Sequence, residues 1–424
     1  MKQAPHSVDQ RIVRQLNKGV ILDLIRQAPD GISRAEIAQA LGVSRSTVSA
    51  IVDGLILHQL VVERGAGVSR GGRRPIVLQT NPDAGRVLGV DIGASHLTVI
   101  AADLRGQVLS EITAPLDIAR GPEECLQAIA LTVEHILRES RSQLDEVRAI
   151  GVGVPGPVIQ QQGIVSAPPI MPGWDGFPIR QRLSDAWHKP VSLDNDADLG
   201  ALGEWSFGAG RAESNLVYIK IGTGIGCGIL LDGQIYHGVL GTAGEIGHLT
   251  VSEDGPPCTC GNYGCLEAMA GGRAIAQRAQ LAVKAGQRTS LASVDHGREI
   301  TARDVGLAAQ SGDGVSQQLL GDAGRHIGSA LASLVNLLNP SLVLLGGGVV
   351  AAGAYLLDPI RQAVRERTLR AAGRATRIAV ATLGDRSTAL GAVALALNRT
   401  FESYVDLDGR HAAQATALKQ AVLS

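Results

Sequence analysis

A strand, a glycine-rich turn and a second strand occur twice in this chain. The first copy reads Arg86-Val87-Leu88-Gly89-Val90-Asp91-Ile92, then Gly93-Ala94-Ser95-His96, then the apolar strand Leu97–Ala101 and the turn Asp103-Leu104-Arg105-Gly106. The second reads Asn215–Ile221, then Gly222-Thr223-Gly224-Ile225-Gly226-Cys227-Gly228, then Ile229-Leu230-Leu231-Asp232-Gly233. Repetition of one unit predicts two related lobes with a cleft between them. The glycines have a chemical meaning too, because they let backbone N–H groups approach an anion closely. Asp91, Gly93 and the Gly222-Thr223-Gly224 loop are therefore candidates to flank the phosphates and metal of a nucleotide. A third run, Gly346-Gly347-Gly348, follows the strand Ser341–Leu344. Glycine-rich strand ends are also common without any ligand.

The chain has 424 residues, more than one ordinary core accommodates. Apolar residues make up 45% and aromatics only 3%, so Val, Ile, Leu and Ala must fill the cores. No uncharged apolar run reaches the roughly 20 residues of a membrane span, and Met1–Asn17 lacks the apolar core of a signal peptide. The expected location is the cytoplasm, with no membrane partner.

The first 80 residues have a different texture. Helical spacing of Val8, Ile12, Val13, Leu16, Val20 and Leu24 predicts a helix ended by Pro29-Asp30-Gly31. Ser33, three residues before Glu36, signals a capping box that opens a short helix through Leu41. Gly42-Val43 makes a turn, and Ser44 caps a second helix running to about His58. Two short helices on a tight glycine turn form a helix-turn-helix. The second begins Ser44-Arg45-Ser46-Thr47 and continues to Ser49; small hydroxyls and one Arg suit an N-terminus entering a major groove. Strands at Leu60–Arg64 and Ile76–Gln79 bracket a basic loop, a wing whose Arg70, Arg73 and Arg74 suit the DNA backbone or minor groove. With Arg34, these are the expected DNA contacts. Residues 1–80 carry 11 Lys+Arg against 6 Asp+Glu, whereas the remainder carries 28 against 34. A basic head on an acidic body fits a double-stranded DNA operator as partner.

Three of the five cysteines fall within eight residues. His248, Cys258, Cys260 and Cys265 together supply one imidazole and three thiolates, a set that closes a tetrahedral structural zinc site. Nearby, Asp194-Asn195-Asp196-Ala197-Asp198 follows the strand Val191–Leu193. Asn195 and Asp196 at a strand end suit vicinal hydroxyls, and Asp196 suits a general base. Trp174 and Trp205 are equally candidates for core packing or sugar stacking. Cys125 and Cys227 read as buried small hydrophobes. Helices at Asp322–Leu338 and near Leu356–Leu369 suit either the core or a subunit interface.

Taken together, these motifs resemble the ROK family of repressors and sugar kinases, over about residues 10–400. The likeness is carried by the head with its Gly-Arg-Arg-Pro wing, Asp91-Ile92-Gly93, Val154-Pro155-Gly156-Pro157, Pro172-Gly173-Trp174, Asn195-Asp196-Ala197, Gly222-Thr223-Gly224-Ile225-Gly226, and the His248–Cys265 zinc signature. The resemblance implies an α/β, actin-like two-lobed sugar-kinase fold behind a winged helix-turn-helix. Its parts would be the head at 1–82, lobe 1 at 83–205, lobe 2 at 206–400 with the zinc loop 248–265, and a tail at 401–424. It further implies zinc on His248, Cys258, Cys260 and Cys265, and a sugar held by Asn195, Asp196, Glu245, His248 and Glu267. Asp91, Gly93, Gly222, Thr223, Gly224 and Gly347 would mark a weak or vestigial nucleotide site.

The chain departs from the family's kinases in the first phosphate loop. Those enzymes usually carry Asp-x-Gly-Gly-Thr-Lys, where this chain has Asp91-Ile92-Gly93-Ala94-Ser95-His96. Ala94 adds a Cβ where backbone should meet phosphate, and His96, expected mostly neutral at pH 7, replaces a fixed positive charge. Asp198 stands where those kinases commonly have Asn. The expected protein is a non-enzymatic, sugar-responsive repressor acting as a homodimer or homotetramer; the alternative is an ATP-dependent sugar kinase using Asp196 and carrying a DNA-binding head.

Overall fold

The computed structural model describes the backbone of residues 10–28, 30–66, 76–166, 168, 171–294 and 298–422, and their side chains except at 10–17, 66 and 405–422. In the head, helix α1 (Gln10–Gln27) precedes strand β1 (Ile32–Ser33), helices α2 (Arg34–Leu41) and α3 (Arg45–Leu57), and strands β2 (Val61–Ala66) and β3 (Ile76–Thr80). The capping box forms as its spacing requires. Ser33 Oγ accepts from Glu36 N–H at 3.2 Å while Glu36 Oε2 accepts from Ser33 N–H at 2.9 Å. Gly42, at φ +63°, ends α2 in a left-handed turn that L side chains rarely adopt. The unexpected element is β1, which pairs with β3 to make a three-stranded sheet of order β1-β3-β2. Its two residues are too few to leave a periodic trace. Arg70, Arg73 and Arg74 lie outside the described residues.

Lobe 1 is a five-stranded sheet of order β10-β7-β4-β5-β6, formed by β4 (Arg86–Ile92), β5 (His96–Asp103), β6 (Val108–Pro115), β7 (Val147–Val154) and β10 (Val191–Asn195). A small hairpin, β8 (Val158–Ile159) with β9 (Ile164–Val165), stands beside it. Lobe 2 repeats the order with β13 (Gln234–Ile235), β12 (Ile225–Leu231), β11 (Leu216–Ile221), β14 (Leu342–Gly346) and β15 (Arg377–Val380). In both lobes an antiparallel meander continues into parallel strands, so the sequence repeat is a structural one. Helices α4 (Pro122–Glu139) and α5 (Ile179–Trp187) cover the outer face of lobe 1 through Ile129, Val133, Ile179 and Leu183. The outer layer of lobe 2 contains α7 (Leu266–Ala270), α8 (Gly272–Lys284), α9 (Ala302–Gln310), α10 (Gly314–Leu338), α11 (Ala354–Arg367) and α12 (Arg370–Ala375). Helix α10 starts eight residues before the expected Asp322, because Asp313 caps it by accepting from Ser316 N–H at 2.8 Å. It packs on α11, and their facing side chains belong to the lobe 2 core.

Between the two sheets lie α6 (Asp196–Phe207) and α13 (Ser387–Val422). Glycine allows their contact: a Cβ on Gly203 would sit 2.1 Å from Ser387 O, and one on Gly391 would sit 1.8 Å from Leu199 O. Glycines also admit α13 onto the lobe 1 sheet, where a Cβ on Gly151 would meet Ala392 O at 2.0 Å. Residues 387–400, expected in lobe 2, therefore pack on lobe 1, and α13 passes unbroken through the expected tail boundary. Its sparse polar pattern hid it, because its first turns are buried on more than one side. The head docks on the same helix. Ile21, Leu22 and Ile25 share a core with Val393, Leu397 and Phe401. Lys18 Nζ donates to Tyr404 O at 2.7 Å, Arg26 Nη2 donates to Asn398 Oδ1 at 2.9 Å, and the Arg26 guanidinium lies 4.6 Å from the Phe401 ring centre.

Candidate functional sites

The head presents the N-terminus of α3. Ser44 Oγ accepts from Thr47 N–H at 3.1 Å and lies 2.8 Å from both the Ser46 and Thr47 hydroxyls. Ser44, Arg45 and Ser46 are exposed, whereas Val48, Ile51 and Val52 are buried. This end therefore offers one guanidinium, several hydroxyls and the positive pole of a helix. Arg34 is placed differently: it is tied to Asp53, at 2.9 Å, and to Glu63, so two carboxylates compete with any phosphate for it.

In the body, the sequence-predicted residues converge at the carboxyl ends of parallel strands, where open α/β sheets bind ligands. Asp91 is near the end of β4, Asn195 ends β10, and Lys220 precedes the last residue of β11. Asn195 positions rather than presents its side chain. Oδ1 caps α6 by accepting from Ala197 N–H at 2.8 Å, and Nδ2 donates to Gly156 O at 2.9 Å. Oδ1 also accepts from Asp198 N–H at 3.4 Å, so one amide N–H remains for a ligand. Asp196 is paired with Lys220, Nζ to Oδ2 2.8 Å, and Lys220 also reaches Thr388 Oγ1 at 3.3 Å. Burial opposes the charge on Lys220, but Asp196 and Asp91 outweigh it and hold its pKa above the ordinary lysine value. Sequence reasoning passed over Lys220; its signal was a lone cation in an otherwise apolar strand.

Glu245, His248 and Glu267 form the wall. Glu245 Oε2 lies 3.9 Å from His248 Nε2. Burial raises the Glu245 pKa and His248 opposes the shift, while Asp196 and Glu267 add to it. Glu267 Oε2 accepts from Ile225 N–H at 3.1 Å, and a Cβ on Gly224 would sit 2.0 Å from that oxygen. Gly224 is thus explained by a carboxylate approaching it, without a phosphate. Gly347, at φ +87°, is required by its left-handed backbone and by Ile221 O, 2.4 Å from where a Cβ would lie. Around Gly222 and Thr223 the loop is braced, as their carbonyls accept from Gly272 N–H at 2.9 Å and Arg273 N–H at 3.0 Å.

The His96 ring lies against Gly93, with Cε1 2.2 Å from an ideal Cβ position, and its Nε2 is 3.5 Å from Asp91 Oδ2. The hydrogen bond with Asp91 outweighs burial and raises the His96 pKa. The neighbouring carboxylate thus favours the charged form of the imidazole.

The cysteine loop gathers its expected donors: ligand atoms of His248, Cys258, Cys260 and Cys265 all lie within 4.8 Å of one another. Cys260 Sγ is 3.7 Å from Cys265 Sγ, and Cys258 Sγ is 3.6 Å from His248 Nδ1. Tetrahedral metal–sulfur bonds of about 2.3 Å require sulfur–sulfur edges of about 3.8 Å, so the donors fit a metal ion. Only Nδ1 of His248 faces the thiols, which leaves Nε2 toward Glu245. Trp174 is fully buried and donates to Ile118 O at 3.2 Å, while Trp205 donates to Glu213 O at 2.9 Å; both are packing residues. Cys125 and Cys227 are buried as expected.

Comparison with known proteins agrees with this architecture. The sequence pattern of the ROK family matches residues 87–399. The chain belongs to the ROK family. A MarR family pattern matches residues 16–74, the winged helix of the head. The xylose repressor of Caldicellulosiruptor bescii is 33% identical over 387 residues, covering 91% of this chain and 96% of that protein. The glucokinase of Halalkalibacterium halodurans is 35% identical over 306 residues, covering 72% of this chain and 92% of its own length. A crystal structure of a ROK family transcriptional regulator, a homolog of the E. coli MLC protein, superposes with a TM-score of 0.80 at 30% identity, covering 93% and 98% of the two chains. That glucokinase thus covers about as much of this ROK protein as its body spans, whereas the xylose repressor and the transcriptional regulator cover more than nine tenths of it.

Proposed function

We propose that this ROK protein is a sugar-responsive transcriptional repressor whose head binds operator DNA and whose cleft binds a small sugar. One relationship carries the reading. Helix α13 begins at the cleft, where the Thr388 hydroxyl donates to Asp196 O at 3.0 Å, and continues to the head, which rests on Asn398, Phe401 and Tyr404. A ligand that binds one arrangement of Asp196, Lys220 and Thr388 better than another can bias the seating of the head. Asp196, Glu245 and Glu267 supply acceptors for sugar hydroxyls, His248 supplies Nε2, and Asn195 orders the corner. Zinc suits the donor set of His248, Cys258, Cys260 and Cys265, and its role would be to hold His248 and the following turn at the pocket wall. A twofold assembly would present two heads to a near-palindromic operator in the cytoplasm.

The names of the relatives make xylose the first sugar to test. Operator affinity measured with and without xylose, glucose and N-acetylglucosamine should change at least tenfold with one of them. Arg45→Ala should weaken operator binding and lower its salt dependence by about one phosphate contact while leaving sugar affinity intact. An operator affinity indifferent to every sugar would overturn the sensor reading. The competing reading is an ATP-dependent sugar kinase with a DNA-binding head. It is disfavoured by the His96 ring against Gly93 and by the lysine pairing of Asp196; sugar phosphate formed from Mg-ATP would restore it.

A further inference from the structure

Behind the Asn195–Asp196 corner, three side chains meet that the sugar reading does not use. Asp194 is the last residue but one of β10, Asp198 lies in the first turn of α6, and each is only 3% exposed. His237 approaches from the loop after β13, and one donor atom from each of the three lies within 4.8 Å of the others. Asp194 Oδ1 accepts from Gln160 Nε2 at 2.8 Å and Asn195 N–H at 2.9 Å. These two bonds fix the carboxylate so that Oδ2 faces His237 Nε2 at 3.0 Å. Asp198 brings a carboxylate to the same place, and its Oδ1 is buried without a hydrogen-bond partner.

The charges around this point are unbalanced. Burial raises the Asp198 pKa well above the carboxylate range, and Asp194, Asp196 and Glu245 push it in the same direction. The Lys220 ammonium is already paired with Asp196. An orphaned carboxylate oxygen in such a place is costly unless something positive reaches it. We propose that Asp194, Asp198 and His237 form a second metal site, separate from the cysteine loop, that takes a divalent cation of the manganese type. Two carboxylates and one imidazole suit Mn²⁺, whereas the thiolate-rich loop suits softer ions. Metal–ligand bonds of roughly 2.1 Å place adjacent octahedral donors about 3.0 Å apart, which is the Asp194–His237 separation. The partly exposed His237 side chain leaves a way in from solvent. A cation there would brace α6 against the loop after β13 directly behind the cleft.

The test uses the full-length, zinc-loaded protein titrated with Mn²⁺ and followed by the free-ion EPR signal. One Mn²⁺ should bind per chain, with the bound ion showing hyperfine coupling to a single imidazole nitrogen. Asp198→Asn, nearly isosteric, and His237→Ala should each weaken Mn²⁺ binding at least tenfold while zinc content stays unchanged. The proposal is overturned if the wild-type protein binds no Mn²⁺, if the bound ion lacks nitrogen coupling, or if Mn²⁺ merely displaces zinc one for one. The wild-type nitrogen coupling decides the matter even if a variant fails to fold.

Discussion

Lys220 Nζ lies 2.8 Å from Asp196 Oδ2, so the carboxylate expected from the sequence to serve a sugar or a kinase reaction is already partnered by a cation of this chain. The pair joins β11 of lobe 2 to the first turn of α6, and Thr388 adds α13 to the same contact. Removing the ammonium leaves Asp196 beside Asp91 and Glu245 with its main counter-charge gone. Lys220→Met should therefore cost about 1–2 kcal/mol, between the values for exposed and for fully buried pairs because both groups retain some exposure. Urea unfolding should show the lower midpoint. Combined with Asp196→Asn the loss should be less than additive, and strict additivity would argue that the two groups do not interact.

His96 gives lobe 1 a pH-dependent contact. Its folded pKa is raised above the unfolded value near 6.5 by Asp91. The stabilisation is therefore complete below about pH 6.5 and is lost as pH rises through the folded pKa. Melting temperatures of the wild type and His96→Gln should differ most on the acidic side and converge in alkali. A difference that grows with pH would contradict the assignment of Asp91 as the partner.

The cysteine loop should stand or fall as a unit. Its donors are spread over a long loop, between His248 and Cys265, with little regular structure to hold them. Cys260→Ser removes an exposed thiol with little packing to lose. Metal analysis should show one zinc per wild-type chain and far less in the variant, together with a lower melting temperature. A full zinc complement in Cys260→Ser would refute the ligand set.

Gly151 separates the lobe 1 sheet from α13, and a Cβ there would lie 2.0 Å from Ala392 O. Neither the strand nor the helix backbone can yield locally. Gly151→Ala should destabilise the protein by about 3 kcal/mol, at the upper end of overpacking costs. Thermal unfolding measures it, and Gly176→Ala is an instructive contrast. Gly176 has no atom within 4 Å of its would-be Cβ, so its cost should come only from its φ of +67°.

Much of the protein was legible where its physics is local. A capping box needs Ser33 and Glu36 three apart, a left-handed helix end needs Gly42, and the metal donors of one loop need their own spacing. The doubled strand–turn–strand unit was legible because each apolar strand is buried on both faces. The phosphate-loop glycines were legible as glycines but not in their reasons. Gly93 accommodates the ring of His96 in its own turn, and Gly224 accommodates Glu267, a contact between residues far apart along the chain.

By itself, then, the sequence determined the winged head, the two lobes, the four donors of the cysteine loop and the Asp91–His96 departure from a phosphate site. Each depends on residues within one element or one turn. Tertiary structure alone decided that Lys220 reaches Asp196, that Asp194, Asp198 and His237 converge, and that α13 leaves lobe 2 to cover lobe 1 and carry the head. Lys18 and Tyr404, or Asp196 and Thr388, are far apart along the chain and meet only after the sheets, α6 and α13 have packed. Their energies come from burial and charge in a shared interior, and that interior does not exist until the whole fold has closed.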